Sequence, residues 1–137
     1  MKVRLLAATT HGREKLPNAP TSNSHVCAIE LDGTVTCWGD EVEGNLTPPS
    51  DLGPVIDLAV ASYDSCAVKL DGTPVCWGIE TEPRFHPMPQ GLKLKALRSK
   101  MGTYCGIKLD DTLACWGDEQ HSHITFPADM KVYFPSP

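Results

Sequence analysis

Residues 26–39 read VCAIELDGTVTCWG, residues 65–78 read SCAVKLDGTPVCWG and residues 104–117 read YCGIKLDDTLACWG. One frame runs through all three: Cys, an aliphatic residue, Leu-Asp, Thr, then Cys-Trp-Gly. Cys27, Cys66 and Cys105 stand 39 residues apart, and so do Cys37, Cys76 and Cys115, Trp38, Trp77 and Trp116, and Gly39, Gly78 and Gly117. Twelve positions on one spacing mark a tandem repeat, which outranks any local reading of the chain.

An apolar stretch precedes each frame. Val55–Leu58 and Leu94–Leu97 are again 39 apart, and Val3–Leu6 takes the same role at the start. Leu58 precedes its cysteine by 8 residues but Leu6 precedes Cys27 by 21, so the first repeat carries about 13 extra residues within Thr9–Ser24, rich in Pro, Asn and Ser. The expected organisation is a single repeat domain over 1–137. Repeat 1 covers about 2–53 with an inserted loop at 9–24, repeat 2 about 54–92 and repeat 3 about 93–130. Residues 131–137 begin a fourth strand and end the array within a unit.

Within each frame two β-prone runs flank Leu-Asp-Gly or Leu-Asp-Asp, the composition of a β-hairpin. A two-residue loop at Asp32-Gly33 would oppose Cys27 to Trp38. A three-residue loop, Leu31-Asp32-Gly33, opposes Cys27 to Cys37 and Ile29 to Val35, and it is the preferred register. It places Gly33, Gly72 and Asp111 at the left-handed position that closes such a loop, where glycine has no Cβ to clash and Asp is tolerated. Cysteines and aliphatic residues then share one face and the tryptophans the other, because side chains alternate along a strand. Opposed cysteines come close to disulfide distance. The expected bonds are Cys27–Cys37, Cys66–Cys76 and Cys105–Cys115; the alternative is six reduced, buried thiols. Nine residues between paired cysteines match no common zinc spacing.

The frame CAIELDGTVTCWG resembles the regulator-of-chromosome-condensation repeat, in its short, cysteine-paired branch with the crinkly-type receptor ectodomains and the propeller-type β-lactamase inhibitor. The resemblance spans about 26–134. It implies an all-β fold, a propeller of antiparallel four-stranded blades, commonly seven to a ring. This chain holds about three such blades and so forms a partial propeller-like array. Trp38, Trp77 and Trp116, fixed by the repeat, are expected as packing between blades. The family's exchange factors act through loops for which no counterpart is found here.

Composition narrows function further. A net charge of −5, with no Lys/Arg stripe, argues against a nucleic-acid partner, and no apolar run is long enough to insert into a membrane. The start, MKVRLLAATTHG, is a poor signal peptide. No catalytic residue, cofactor or metal site is expected. His121 and His123 with Asp118 and Glu119 read as a solvated loop, Asp32, Asp71 and Asp110 as turn residues, and the Asn45-Leu46-Thr47 sequon as a polar turn before Pro48. An array with open ends is a fragment of a longer chain or needs covering, by a protein partner or by self-association. The expected function is therefore a non-catalytic protein-interaction module, with loops Asp40–Gly53, Ile79–Gly91 and Asp118–Met130 facing the partner. A structural subunit docked in a larger assembly, membrane-associated or not, and a protein regulator of an enzyme are the alternatives. Paired cysteines place the chain in an oxidising compartment, secreted or in an organelle lumen such as the thylakoid's; reduced ones would place it in the cytoplasm.

Overall fold

The computed structural model describes residues 2–8, 24–41, 44–61, 64–78, 85–86, 88–100 and 103–118. Ten strands are formed there: β1 (Val3–Ala8), β2 (His25–Glu30), β3 (Val35–Gly39), β4 (Val55–Val60), β5 (Asp64–Lys69), β6 (Pro74–Gly78), β7 (Phe85–His86), β8 (Leu94–Lys100), β9 (Thr103–Lys108) and β10 (Leu113–Asp118). They assemble into three antiparallel sheets, β1-β2-β3, β4-β5-β6 and β7-β10-β9-β8, hereafter blades 1, 2 and 3. The chain is all-β, a partial propeller. The inserted loop up to residue 23, the loop segments 79–84 and 119–130, the His121–His123 group and the strand at 131–137 lie outside the described residues.

Each frame folds as a three-residue hairpin. In blade 1, Gly33 N donates to Glu30 O at 3.0 Å and Glu30 N to Thr34 O at 2.8 Å, and the same pair of bonds recurs around Leu70-Asp71-Gly72 and Leu109-Asp110-Asp111. The closing residues are left-handed, with φ of 91° at Gly33 and Gly72 and 71° at Asp111. The register opposes Cys27 to Cys37, Cys66 to Cys76 and Cys105 to Cys115. Their Cα atoms are 4.0 to 4.1 Å apart and all six sulfurs are joined in pairs. These are closely spaced, non-hydrogen-bonded pairs, the strand positions nearest to disulfide reach.

Alternation then gives every blade two unlike faces. The cystine face of blade 1 carries Leu5, Ala7, Cys27, Ile29, Val35 and Cys37, and it packs on Leu58, Val60, Ala67, Val75 and Trp77 of blade 2. One step on, Ala59, Cys66, Val68 and Cys76 of blade 2 meet Leu97, Tyr104, Ala114 and Trp116 of blade 3. The core is thus divided into two layers, each lying between blades and neither inside one. Tyr104 and Trp116 stack at 5.7 Å between ring centres.

Blade and repeat are offset in the one place where a fourth strand is described. β7 runs ahead of β8 in the chain yet pairs with β10 at the far edge of blade 3, through Gly117 with His86 and Asp118 with Phe85. A link between consecutive repeats therefore completes the following sheet, so neighbouring repeats are tied by backbone hydrogen bonds as well as by packing.

Two predictions follow from the hairpins. The unfolded, unreduced chain should show no free thiol, and Cys66→Ala with Cys76→Ala should cost about 2 to 3 kcal/mol in urea unfolding for a loop of this length. The turn aspartates set the second. Thr73 N and its hydroxyl, both bonded to Asp71, hold that carboxyl down from 3.8 to about 2, and Thr34 and Thr112 lower Asp32 and Asp110 likewise. A folded value below the unfolded one means that the stabilisation is present above about pH 3.8 and lost as pH falls through 2. The urea midpoint should fall across that window, and Asp71→Asn should flatten part of the fall.

Candidate functional site

Three positions repeat around each tryptophan face: the first residue of the first strand, the leucine three residues on, and the tryptophan. In blade 3 these are Leu94, Leu97 and Trp116, exposed by 0%, 0% and 2%; in blade 2 they are Val55, Leu58 and Trp77, exposed by 1%, 3% and 6%. In blade 1 the same positions, Val3, Leu6 and Trp38, are exposed by 42%, 60% and 43%. The chemistry is equivalent, and only the neighbour differs. Trp77 and Trp116 each lie under the cystine face of the preceding blade, and among the described residues no blade precedes Trp38.

The expectation that Trp38 belongs to the core is thereby corrected: it lies on an open surface, while Trp77 and Trp116 are buried. The physical reason is the polarity of the stack. Trp77 and Trp116 are each sealed by the blade upstream of them, and among the described residues no blade lies upstream of Trp38. The turn-tip leucines Leu31, Leu70 and Leu109 provide a control, because all three are exposed in every blade and their exposure reflects the turn alone.

This face also holds a polar pair. Thr36, at the position of Val75 and Ala114, donates its hydroxyl to the Glu30 carboxylate at 2.7 Å. Of the two covered tryptophans, Trp77 also uses its indole nitrogen, with Nε1 donating to Asn45 O at 2.9 Å. Asn45 is itself buried, and its amide donates to Asp40 O at 3.1 Å, so in the folded chain the sequon side chain has no room for a glycan. Leu52 is buried in the core as well, so part of the Asp40–Gly53 loop serves packing between blades 1 and 2.

A second feature lies where the first strands meet. Register slips between Val3 and Leu5, Val55 and Asp57, and Leu94 and Ala96 make the same β-bulge three times. Arg4, Ile56 and Lys95 are the residues set out of register, and with Asp57 and Arg98 they line an open groove of about 400 Å³. Its charges are already used in stitching strands together. Arg4 donates to Val55 O at 2.6 Å, Lys95 pairs with Asp111, and the buried Asp57 accepts from Leu97 N at 2.8 Å and from Arg98 at 3.0 Å. His25 and Ser65, also buried, bond across the blade 1–2 seam at 2.9 Å.

Among the described residues no cluster of three His, Cys, Asp or Glu is placed to hold a metal, and no helix is long and apolar enough to cross a membrane. Sequence reasoning identified the repeat frame but missed Leu6, the bulge residues and Asp57. Leu6 had a signal in its alignment with Leu58 and Leu97; Asp57 had none, since Leu5 and Ala96 stand at its position in the other repeats.

No known family model and no curated protein matches this sequence. Solved structures do. The CRINKLY WD40 ectodomain of the Arabidopsis thaliana receptor kinase ACR4 is 31% identical over 68% of this chain and 33% of its own, with a TM-score of 0.57. The ectodomain of the Physcomitrella patens receptor kinase CR4 is 26% identical over 69% of this chain and 25% of its own, also at 0.57. Human WBSCR16, 16% identical over 84% of this chain and 34% of its own at a TM-score of 0.61, shares the fold. The chain thus spans about a third or less of each.

The stack polarity predicts an asymmetry in stability. Leu97→Ala should cost about 2 to 5 kcal/mol, as the loss of a buried leucine does. Leu6→Ala, at the equivalent position but uncovered, should change stability by less than about 0.5 kcal/mol. Urea midpoints of the two variants at equal protein concentration, dilute enough to keep chains apart, measure the difference.

Proposed function

We propose that this chain is a non-catalytic docking module of the regulator-of-chromosome-condensation type, working in an oxidising compartment and binding a protein through the Val3–Leu6–Trp38 face of blade 1. The observation that carries this reading is the ninefold comparison of exposures above: three apolar side chains lie open at positions that are sealed in both other repeats. Exposed apolar side chains beside a hydrogen-bonded polar pair suit a protein interface, and tryptophan is among the side chains most enriched at its energetic centre.

The Cys-Trp-Gly frame and the 31% identity to a crinkly ectodomain support the assignment to the short repeat branch. Three disulfides in a chain of this size suit secretion or an organelle lumen, where thiols remain oxidised. Repeat boundaries near 53–54 and 92–93 follow from the spacing of the frame. The buried use of Asn45 and Leu52 shifts the proposed contact from the Asp40–Gly53 loop to the open sheet beside it. A structural subunit held in a larger assembly would dock through the same face.

A photo-crosslinking amino acid in place of Trp38 tests this in the native source. Capture of a protein at position 38, and not at the still more exposed Leu70, is expected. Capture at neither position, or equally at both, would show that the face is not a docking surface.

A further inference from the structure

We propose that the groove where the first strands meet is a second binding site, which takes an extended acidic peptide segment with carboxylates at alternate residues. It is separate from the docking face: every residue lining it comes from β1, β4 or β8, and Val3, Leu6 and Trp38 are not among them.

The repeat explains why side chains collect there. A β-bulge sets one residue out of the ladder and re-aims it. Bulges at the same position of all three first strands bring Arg4, Ile56 and Lys95 to one groove, so an apolar residue on β4 stands between a cation on β1 and a cation on β8. Arg98 adds a third cation where the other repeats have Ala7 and Ala59, so the frame itself does not call for an arginine. Both seams that the groove crosses, between blades 1 and 2 and between blades 2 and 3, lie within the described array.

Its charge runs against that of the whole chain. Three cations line it against one carboxylate, while the net charge is −5. That carboxylate is occupied: the buried Asp57 accepts from Leu58 N at 2.9 Å, Leu97 N at 2.8 Å and Arg98 Nη1 at 3.0 Å. The guanidiniums have donors left over. Arg4 uses only Nη2, on Val55 O, and Arg98 only Nη1, on Asp57 and Leu97 O. Among the described residues the other nitrogens of both make no hydrogen bond, which leaves each guanidinium N–H groups for a carboxylate. Anchored on strands already, they lose little freedom on binding.

Spacing selects the ligand. Arg4 is tied to Val55 and Arg98 to Asp57, two residues further along the same strand, and two residues of chain span at most about 7 Å. Alternate side chains of an extended peptide point to one face and repeat at about the same distance. Acidic residues at alternate positions thus bring one carboxylate to each guanidinium, with Leu5, Ile56 and Ala96 as apolar wall for the methylenes. The volume of about 400 Å³ falls in the range of small-ligand clefts. Lys95 is the cation with an internal competitor, since it pairs with Asp111.

Fluorescence anisotropy of a labelled peptide of alternating Glu and Val, titrated with the purified chain, tests the site against a Gln-Val peptide of equal length. The Glu-Val peptide should bind about tenfold tighter or more, and salt should weaken it. Arg4→Gln and Arg98→Gln should each weaken binding about tenfold with an unchanged far-ultraviolet spectrum and no free thiol, and Lys108→Gln, outside the groove, should leave it unchanged. Asp111→Asn, which alters no lining residue, should tighten binding by releasing Lys95. Methyl resonances of Ile56 and Ala96 should move in the complex and those of Leu6 should not. Equal binding of the two peptides, or an equal loss from Lys108→Gln, overturns the proposal. Displacement by an equimolar amount of inorganic phosphate would mark a small-anion site and also overturn it. Movement at Leu6 in place of Ile56 would put the peptide on the docking face, which sinks the groove and leaves the docking reading standing.

Discussion

Every sheet in this chain is apolar on both sides, so a blade has no core of its own. Cys27 and Ile29 are sealed because Trp77 and Leu58 of the next blade lie over them, and Cys66 and Val68 because Trp116 and Leu97 do. The contact between a cystine face and a tryptophan face is the interaction on which everything else depends. Removing one blade would expose the layer beneath it. Stability in such an array is a sum of blade and joint terms, with the joints dominating when single blades cannot bury their surfaces.

The disulfides and the joints divide the work. Each disulfide closes a short loop and constrains the unfolded hairpin, which favours the register in which cysteine opposes cysteine. A slip by one residue would exchange the two faces and send tryptophan to the cystine side. Turn geometry acts to the same end, through the left-handed Gly33 and Gly72 and through Asp side chains that accept the backbone N–H two residues on. Those glycines have a second use: with no Cβ they let the following blade approach closely enough for Val55 N and Leu94 N to bond their carbonyls. Asp111 lacks that use, and the third blade's turn is correspondingly different.

Stitching near the first strands is not repeated from joint to joint. Between blades 1 and 2 a guanidinium reaches a carbonyl, and between blades 2 and 3 a buried carboxylate caps a strand N–H and takes an arginine. Apolar packing supplies the common geometry, and these polar contacts, each satisfied within its own seam, distinguish one seam from the other. Such differences give the joints identities, which a chain assembled from near-identical units needs if its order is to be unambiguous.

What was legible in the sequence was everything with a local cause. The 39-residue period, the three hairpins, their register, the pairing of cysteines and the left-handed turn residues all follow from spacing, side-chain alternation and the conformational range of glycine. The direction of stacking was not legible, because Trp38, Trp77 and Trp116 sit in identical local surroundings and nothing within fourteen residues says which of them has a neighbour. Nor were the bulges at Arg4, Ile56 and Lys95, whose side chains differ, or the capping by Asp57, which has no counterpart in the other repeats. By itself the sequence determined three equivalent two-faced blades. Only the tertiary structure decided which faces were buried, because burial belongs to a pair of surfaces, and a repeat can encode a surface without encoding what will lie against it.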